Sequence, residues 1–168
     1  MIRLLLVLIS FSTLTPEAES QIDRVSNFRD IIWGSSLDSV VVNGATVEFT
    51  KVKESDFENA YELFNDKLTI GNVELKKIEY IFNDENRFYK VFLQGKKDQT
   101  DEMAFILEYK FGSEDNSWSV EDIEYRQWII ADVTFTLAEH KYHNFDLVIE
   151  SDWQSAEAYR KNTSVEDF

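Results

Sequence analysis

The chain contains no cysteine, one proline and five glycines in 168 residues. Without cysteine it can have no disulfide framework, no thiolate metal ligand, no cysteine nucleophile and no cysteine that carries a lipid anchor. The single proline, Pro16, precedes every segment that shows a clear strand or helix pattern. The chain also lacks a Pro/Ser-rich linker and a visible repeat, and its length suits one domain, so a single domain is predicted.

Basic residues are scarce as well. Seventeen lysines and arginines stand against 32 aspartates and glutamates, which gives a formal net charge of −15. A surface this acidic repels phosphate groups, so nucleic acids and anionic membranes are poor partners. Aromatic residues, by contrast, are plentiful, with 13 Phe, 7 Tyr and 4 Trp. Their number excludes a disordered chain and is sufficient for a packed core.

The first twenty residues have the order of a secretory signal peptide. Arg3 is followed by an apolar run from Leu4 to Phe11 and then by Ala18-Glu19-Ser20. The run is shorter than the roughly 20 apolar residues that a transmembrane helix needs. We expect cleavage after Ser20 and a secreted or periplasmic protein with no transmembrane segment and no lipid anchor; a buried N-terminal strand or helix is the alternative. The predicted organisation is a signal peptide over residues 1–20, a single domain over 21–162 and a frayed tail over 163–168.

Hydrophobic periodicity predicts antiparallel strands with helices inserted between them. The clearest helix covers Gln99–Phe111, with Thr100 as its N-cap and Gly112 as its stop. Residues 55–65 fit either a helix or a strand, and a strand is favoured. The other predicted elements are a brief helix from Ser35 to near Asn43-Gly44, strands over 45–53, 73–82, 87–93, 128–137 and 145–149, an acidic loop over 113–124, and a final helix that opens at Ser151–Gln154. These elements predict an α+β fold, an antiparallel sheet of about five to six strands with helices packed on one face.

Residues 28–40 read FRDIIWGSSLDSV. The stretch resembles the Phe-x-Gly-x-x-Trp-Gly-x-Ser/Thr-x-x-x-Val motif of an uncharacterised family of secreted bacterial domains, with Asp30 in place of the motif's first glycine. More loosely, the chain is similar to small α+β modules of the β-lactamase-inhibitor-protein type. The resemblance implies an α+β fold and an exported location, and it implies no activity. Trp33 is interpreted as an aromatic residue that packs this segment on the sheet, and a binding role for it is the alternative.

Side chains alternate across a strand, so residue parity sorts the two faces of the predicted sheet. One face mixes apolar with charged side chains, which either a covering helix or a binding partner would explain. A helix that covers part of this second face is favoured. The hypothesis for the uncovered part is a partner site, with Trp128 and Phe92 as aromatic anchors and Phe88 and Lys90 beside them. The other face is predicted to be the core and holds Ile78, Tyr80, Phe82, Tyr89, Val91, Leu93, Ile129, Val133, Phe135, Leu137, Phe145, Leu147 and Ile149.

Few residues point to catalysis or to a cofactor. His140 and His143 are the only histidines, and they are weak candidates for metal ligands because their spacing is not that of a metalloprotease helix. No Gly-x-Ser-x-Gly step exposes a nucleophile, and no glycine-rich loop suits a phosphate. The acidic stretch 114–124 lacks the central glycine and closing glutamate of an EF-hand, so a solvated loop is predicted instead of a calcium site. We therefore expect no metal site and no cofactor.

Two functions are consistent with this sequence. The first is an exported, acidic, non-enzymatic binding or accessory domain that presents a sheet face to a protein or envelope partner. The second is a small secreted hydrolase whose carboxylate pair nothing in the sequence singles out. The lack of a nucleophile or a ligand constellation favours the first. A deep cleft with two facing acids would favour the hydrolase, and a broad aromatic patch would favour the binding domain.

Overall fold

A computed structural model describes residues 25–42, 45–54 and 58–152, most of which lie in β-strands. The strands are β1 (Asn27–Phe28), β2 (Ile31–Ile32), β3 (Val41–Val42), β4 (Ala45–Thr46), β5 (Phe49–Glu54), β6 (Glu58–Leu63), β7 (Thr69–Ile70), β8 (Val73–Asn83), β9 (Phe88–Lys96), β10 (Asn116–Val120), β11 (Ile123–Ile130), β12 (Val133–His140) and β13 (Asn144–Ser151). The helical segments are α1 (Thr100–Phe111) and two 3-10 turns, Leu37–Ser39 and Lys97–Gln99.

One antiparallel sheet of nine strands forms the body of the molecule. Eight strands follow the order β10-β11-β12-β13-β9-β8-β6-β5, and β7 pairs with β8. The strands β1 and β2 form a separate hairpin, as do β3 and β4. Because β13 pairs with β9, the C-terminal meander joins the earlier strands at the centre of the sheet. The helix α1 follows β9 and takes the chain to β10 at the edge.

The core lies on one face of this sheet, which we call the inner face; the opposite face is the outer face. The helix α1 buries Met103, Ala104 and Leu107 in the same cluster as the inner-face side chains. Its last residue, Phe111, packs on Phe135 with ring centroids 4.6 Å apart. The largest fully buried side chains are Trp128, Tyr80, Phe82, Phe88 and Phe145. Burial of such large apolar surfaces is the main driving force for this fold.

The predicted α+β class is wrong. The fold is mostly β, with a nine-stranded sheet where five to six strands were expected, and one α-helix within the described ranges where several were expected. The predicted acidic loop 113–124 is in fact β10 and the start of β11. Every residue of β10 is exposed, so this strand lacks the apolar alternation by which a half-buried strand is recognised.

The predicted strand 128–137 is two strands joined by a tight turn at Ala131-Asp132. Ile130 pairs directly with Val133, and Ala131 takes a positive φ of 55° although it is not glycine. This turn places even-numbered residues of β11 on the same face as odd-numbered residues of β12. Trp128 therefore lies on the inner face opposite Phe135, and the prediction that it lies on the second face is wrong.

A bulge produces the same reversal in the β8–β9 hairpin. Ile81 pairs with Lys90, but Phe82 pairs with Phe88, so Tyr89 is the extra residue on β9. A bulge of this kind shifts the alternation of side chains by one residue. Phe88 is consequently on the inner face and fully buried, and its predicted place on the second face is wrong.

Several local predictions are confirmed. The ambiguous segment 55–65 contains the strand β6, and the hairpin of β8 and β9 has its expected position. Gly112 ends α1 with φ +89°, and its N–H donates to the carbonyl oxygen of Glu108 at 2.8 Å.

Two details of the predicted helices are wrong. Thr100 is the first helical residue of α1 instead of its N-cap. The brief helix after Ser35 is only the 3-10 turn Leu37–Ser39.

Three predictions fall outside the described residues: the signal peptide over 1–20, the final helix beyond Asp152 and the tail over 163–168. Within the part of the chain that the structure describes, no helix is long and apolar enough to cross a membrane.

The motif-like segment packs on the end of the β8–β9 hairpin. The Gly34 N–H donates to the carbonyl oxygen of Phe88 at 2.7 Å, and the Phe88 N–H donates to that of Ser35 at 3.0 Å. Trp33 stacks on Phe88 with ring centroids 4.7 Å apart and is buried, as the packing interpretation requires. Asp30, where the motif has glycine, has φ +66°, a conformation that favours glycine.

Candidate binding surface on the outer face of the sheet

Cross-strand register arranges the outer-face side chains in rows that run across the sheet. One row holds Trp118, Tyr125, Ala138, Asp146, Gln94 and Lys77. The next row holds Asn116, Gln127, Thr136, Val148, Phe92 and Glu79. The outer face thus carries apolar, amide, hydroxyl and charged groups side by side, which is the composition of a binding surface and not of a core.

Exposed apolar side chains concentrate at the β10–β11 end of this face. Trp118 and Tyr125 are direct cross-strand partners whose rings stack almost parallel, with centroids 5.1 Å apart and an interplanar angle of 5°. Trp118 is 40% exposed, and the outer-face residues Val120 and Ile129 are 53% and 48% exposed. We call Trp118 and Tyr125 the aromatic pair. Its large flat surface is pre-organised by stacking, which lowers the entropy lost when a partner covers it.

The aromatic pair lies at a free edge of the sheet. Among the described residues, the strand β10 ends the strand order and pairs with β11 alone. An edge strand presents unpaired backbone N–H and C=O groups that an extended peptide can pair with. The edge is thus suited to adding one more strand beside an exposed tryptophan.

An acidic hollow of about 660 Å³ adjoins the aromatic pair. Gln127 in its wall is two residues from Tyr125 on the same face of β11, a spacing of about 7 Å. Three carboxylates, those of Asp132, Glu150 and Asp152, contribute to the lining. The remaining lining residues are Asn83, Tyr89, Thr134, Thr136 and Ser151. A hollow that is polar and acidic suits hydroxyl, amide or cationic groups of a ligand.

Ser151 in the lining is almost fully buried, with 3% exposure. Its hydroxyl oxygen makes no hydrogen bond within the described part of the chain. A buried polar atom without a partner is unusual and costs free energy.

Hydrogen bonds organise the hollow's Tyr89 side. The Tyr89 hydroxyl donates to Glu58 Oε2 at 2.7 Å, and Lys90 Nζ donates to the same oxygen at 3.1 Å. The hydrogen bond from Tyr89 has the largest effect on the pKa of the Glu58 carboxyl group and lowers it, as does Lys90. Together they outweigh burial, which acts to raise this pKa. Burial acts to lower the pKa of Lys90, but its hydrogen bonds to Tyr89 and Glu58 outweigh burial and raise the pKa. The three side chains therefore form one hydrogen-bonded cluster.

Only part of the predicted site lies on the outer face. Phe92 and Lys90 do, and both are half-buried. The Phe92 ring lies under the Lys77 ammonium, 4.8 Å from its centroid. Trp128 and Phe88 are fully buried, and the Trp128 indole N–H donates to the carbonyl oxygen of Gly112 at 3.0 Å. The four predicted residues therefore do not form one surface.

The aromatic pair was not predicted from the sequence, because residues 113–124 were expected to form a loop and not a strand pair. A signal was present: Trp118 and Val120 alternate with serines, and Ile123 and Tyr125 alternate with Glu124, on either side of Glu121-Asp122. That pattern is a short hairpin whose two strands expose their apolar residues on one face.

The two histidines are not brought together as a metal centre. His140 Nε2 lies 2.9 Å from Asp146 Oδ2. The other oxygen of the Asp146 carboxylate accepts a hydrogen bond from Gln94. His143 lies exposed in the turn between β12 and β13. Across residues 25–42, 45–54 and 58–152, no group of three or more His, Cys, Asp or Glu side chains is placed to hold a metal ion.

Comparison of the chain with protein-family models, with curated proteins and with solved structures gave no match.

Proposed function

We propose that this protein is a non-enzymatic binding domain that takes a basic, extended peptide segment on its outer face. The aromatic pair packs against apolar side chains of the segment, and the acidic hollow receives a lysine or arginine. The single observation that carries the proposal is the stacked Trp118–Tyr125 pair, whose Trp118 is exposed. Within the described ranges this pair lies on the edge strand of the sheet, beside an acidic hollow.

Charge supports a basic partner. The chain carries a net charge of −15, and the hollow contains the carboxylates of Asp132, Glu150 and Asp152. A field of this sign attracts cationic segments over about a Debye length and repels acidic ones. Aromatic anchors surrounded by polar neighbours are the usual centre of such interfaces.

The binding site is tested by isothermal titration calorimetry with a short synthetic peptide in which valine and lysine alternate at every second position and serine stands between them. Both side chains then face the same side of the extended peptide, as the aromatic pair and the hollow require. We expect saturable binding that weakens as salt rises, and Trp118→Ala should weaken it by about tenfold or more, near 1.4 kcal/mol. Tyr109→Ala is the matched control because Tyr109 is an aromatic residue that is 86% exposed and lies on α1, away from the outer face. That variant should bind as the wild type does.

A peptide in which glutamate replaces lysine tests the role of charge and should not bind. The proposal is wrong if the lysine peptide fails to bind, if the glutamate peptide binds equally well, or if Trp118→Ala and Tyr109→Ala behave alike.

We further propose that the protein acts outside the cytoplasm, in a secreted or periplasmic location. The order of Arg3, an apolar run and a small-x-small step at Ala18 to Ser20 supports this. The envelope or a protein exposed to it then supplies the partner.

A further inference from the structure

A second cavity, separate from the outer face, lies between α1 and the inner face of the sheet. Its volume is about 280 Å³. Protein interiors contain few voids larger than one water molecule, and this volume equals that of roughly nine waters in the liquid. A cavity of this size beneath the only described α-helix is close to the range of small-molecule sites.

The walls of this cavity are apolar on both sides. Helix α1 contributes Met103, Ile106 and Leu107, and the sheet contributes Val133 and Leu147. Apolar walls hold water poorly, so a hydrocarbon is a better occupant. Met103 is unbranched and flexible, which lets the wall adapt to the shape of an alkyl chain.

Three of the lining residues are polar or charged, namely Asn27, Arg29 and Lys110. Asn27 and Lys110 are exposed, which marks the part of the lining that they form as the mouth. Arg29 already donates to Asp66 and to the carbonyl oxygens of Lys67 and Thr69. Its charge is therefore compensated within the protein.

Lys110 is the remaining cation at the mouth. Its ammonium lies over the Phe111 ring, 5.6 Å from the centroid, and no ion pair with another described residue engages it. An anionic head group at the mouth would pair with this ammonium while its alkyl chain fills the apolar interior.

We propose that the cavity binds a single-chain amphiphile with a carboxylate head, the alkyl chain lying between α1 and the sheet and the carboxylate pairing with Lys110. This site is independent of the peptide site on the outer face. Its chemistry is opposite in both respects, since it is apolar inside and cationic at the mouth.

The test uses the full chain and three probes that each contain a ten-carbon chain, namely decanoate, decanol and decyltrimethylammonium, each titrated by calorimetry. We expect one equivalent of decanoate to bind at least fivefold more tightly than decanol, and the ammonium compound to bind most weakly. Lys110→Gln should reduce decanoate affinity to the level of decanol and leave decanol unchanged. Lys141→Gln is the matched control because Lys141 is an exposed lysine in the turn after β12.

A cavity-filling variant tests the place of the alkyl chain. Ile106→Phe narrows the cavity at a half-buried position, so it should abolish binding of decanoate and decanol alike while thermal unfolding shows a folded protein. Val133→Phe, on the opposite wall, is the second such variant. The proposal is overturned if no probe binds, if both filled variants that fold bind as well as the wild type, or if Lys110→Gln leaves the preference for decanoate intact.

Discussion

Trp33 is the side chain that fastens the N-terminal segment to the sheet. Its ring stacks on the fully buried Phe88, and its indole N–H donates to the carbonyl oxygen of Val25 at 2.7 Å. We predict that Trp33→Ala lowers the free energy of unfolding by about 3–5 kcal/mol, because it removes a large buried aromatic group and leaves a cavity. Chemical denaturation followed by circular dichroism measures this change.

Trp118→Ala is the comparison for that measurement, since the same side chain is removed from an exposed position. Its effect on unfolding should stay below about 1 kcal/mol. A loss of under about 1 kcal/mol for Trp33→Ala as well would contradict its role as a packing residue.

Glu58 couples the stability of the fold to pH. The hydrogen bond from Tyr89 is the largest of the influences that lower its carboxyl pKa below the unfolded value near 4.5. Its contribution is therefore fully present above that value and is lost as pH falls through the lower, folded pKa. We predict that Glu58→Gln unfolds more easily than the wild type at pH 7, by under about 1 kcal/mol because the group is partly exposed, and that the difference shrinks as pH falls below 4.5.

Glu74→Gln serves as the control for the pH measurement. Glu74 also has a lowered pKa through its hydrogen bond and ion pair with Lys96, but this pair is exposed to solvent. Its effect should disappear in high salt, whereas that of Glu58 should persist in part. A Glu58→Gln difference that grows towards acidic pH would show that the sign of the coupling is wrong.

Among the elements, the turn between β11 and β12 decides which face each residue of β11 occupies. Ala131 holds φ at 55°, which costs a non-glycine residue roughly 1–2 kcal/mol. Glycine relieves this strain but gains freedom in the unfolded chain. We predict that Ala131→Gly raises the free energy of unfolding by up to about 1 kcal/mol.

Ala104→Gly is the matched change in a regular element, because Ala104 is buried within α1. It should lower the free energy of unfolding by about 1 kcal/mol or more. If both glycine variants destabilise the protein equally in thermal and chemical unfolding, Ala131 is not strained.

At the scale of the whole molecule, the two faces of the sheet differ: among the described residues, other elements cover the inner face and leave the outer face uncovered. The inner face packs on α1 and the N-terminal segment, and the outer face has mixed polar and apolar groups. The two proposed ligands, a cationic peptide on the acidic outer face and an amphiphile beneath α1, have opposite chemistries. The two sites can be tested independently because no residue is shared between the two linings.

Export also concerns the whole chain. We predict that a secretion-competent host releases a protein that lacks residues 1–20, because the charged, apolar and small-residue regions occur in the order that signal peptidase requires. Intact-mass spectrometry of the released protein measures the new N-terminus. Recovery of the full-length chain outside the cell would contradict the prediction.

The sequence by itself determined the elements whose signals are local. The hairpin of β8 and β9, the strand β6 and the helix α1 follow from apolar periodicity and from a glycine that stops the helix, since these signals act over a few neighbouring residues. Chain composition likewise determined the absence of disulfides and the strongly acidic charge.

Only the tertiary structure decided which side chains face out. The turn at Ala131, which has no glycine, and the bulge at Tyr89 each reverse the side-chain alternation. Neither feature can be recognised from hydrophobic periodicity. Trp128 and Phe88 were for this reason predicted on the wrong face. The strand that carries Trp118 was not recognised from the sequence, because an edge strand that buries neither face need not alternate apolar and polar residues.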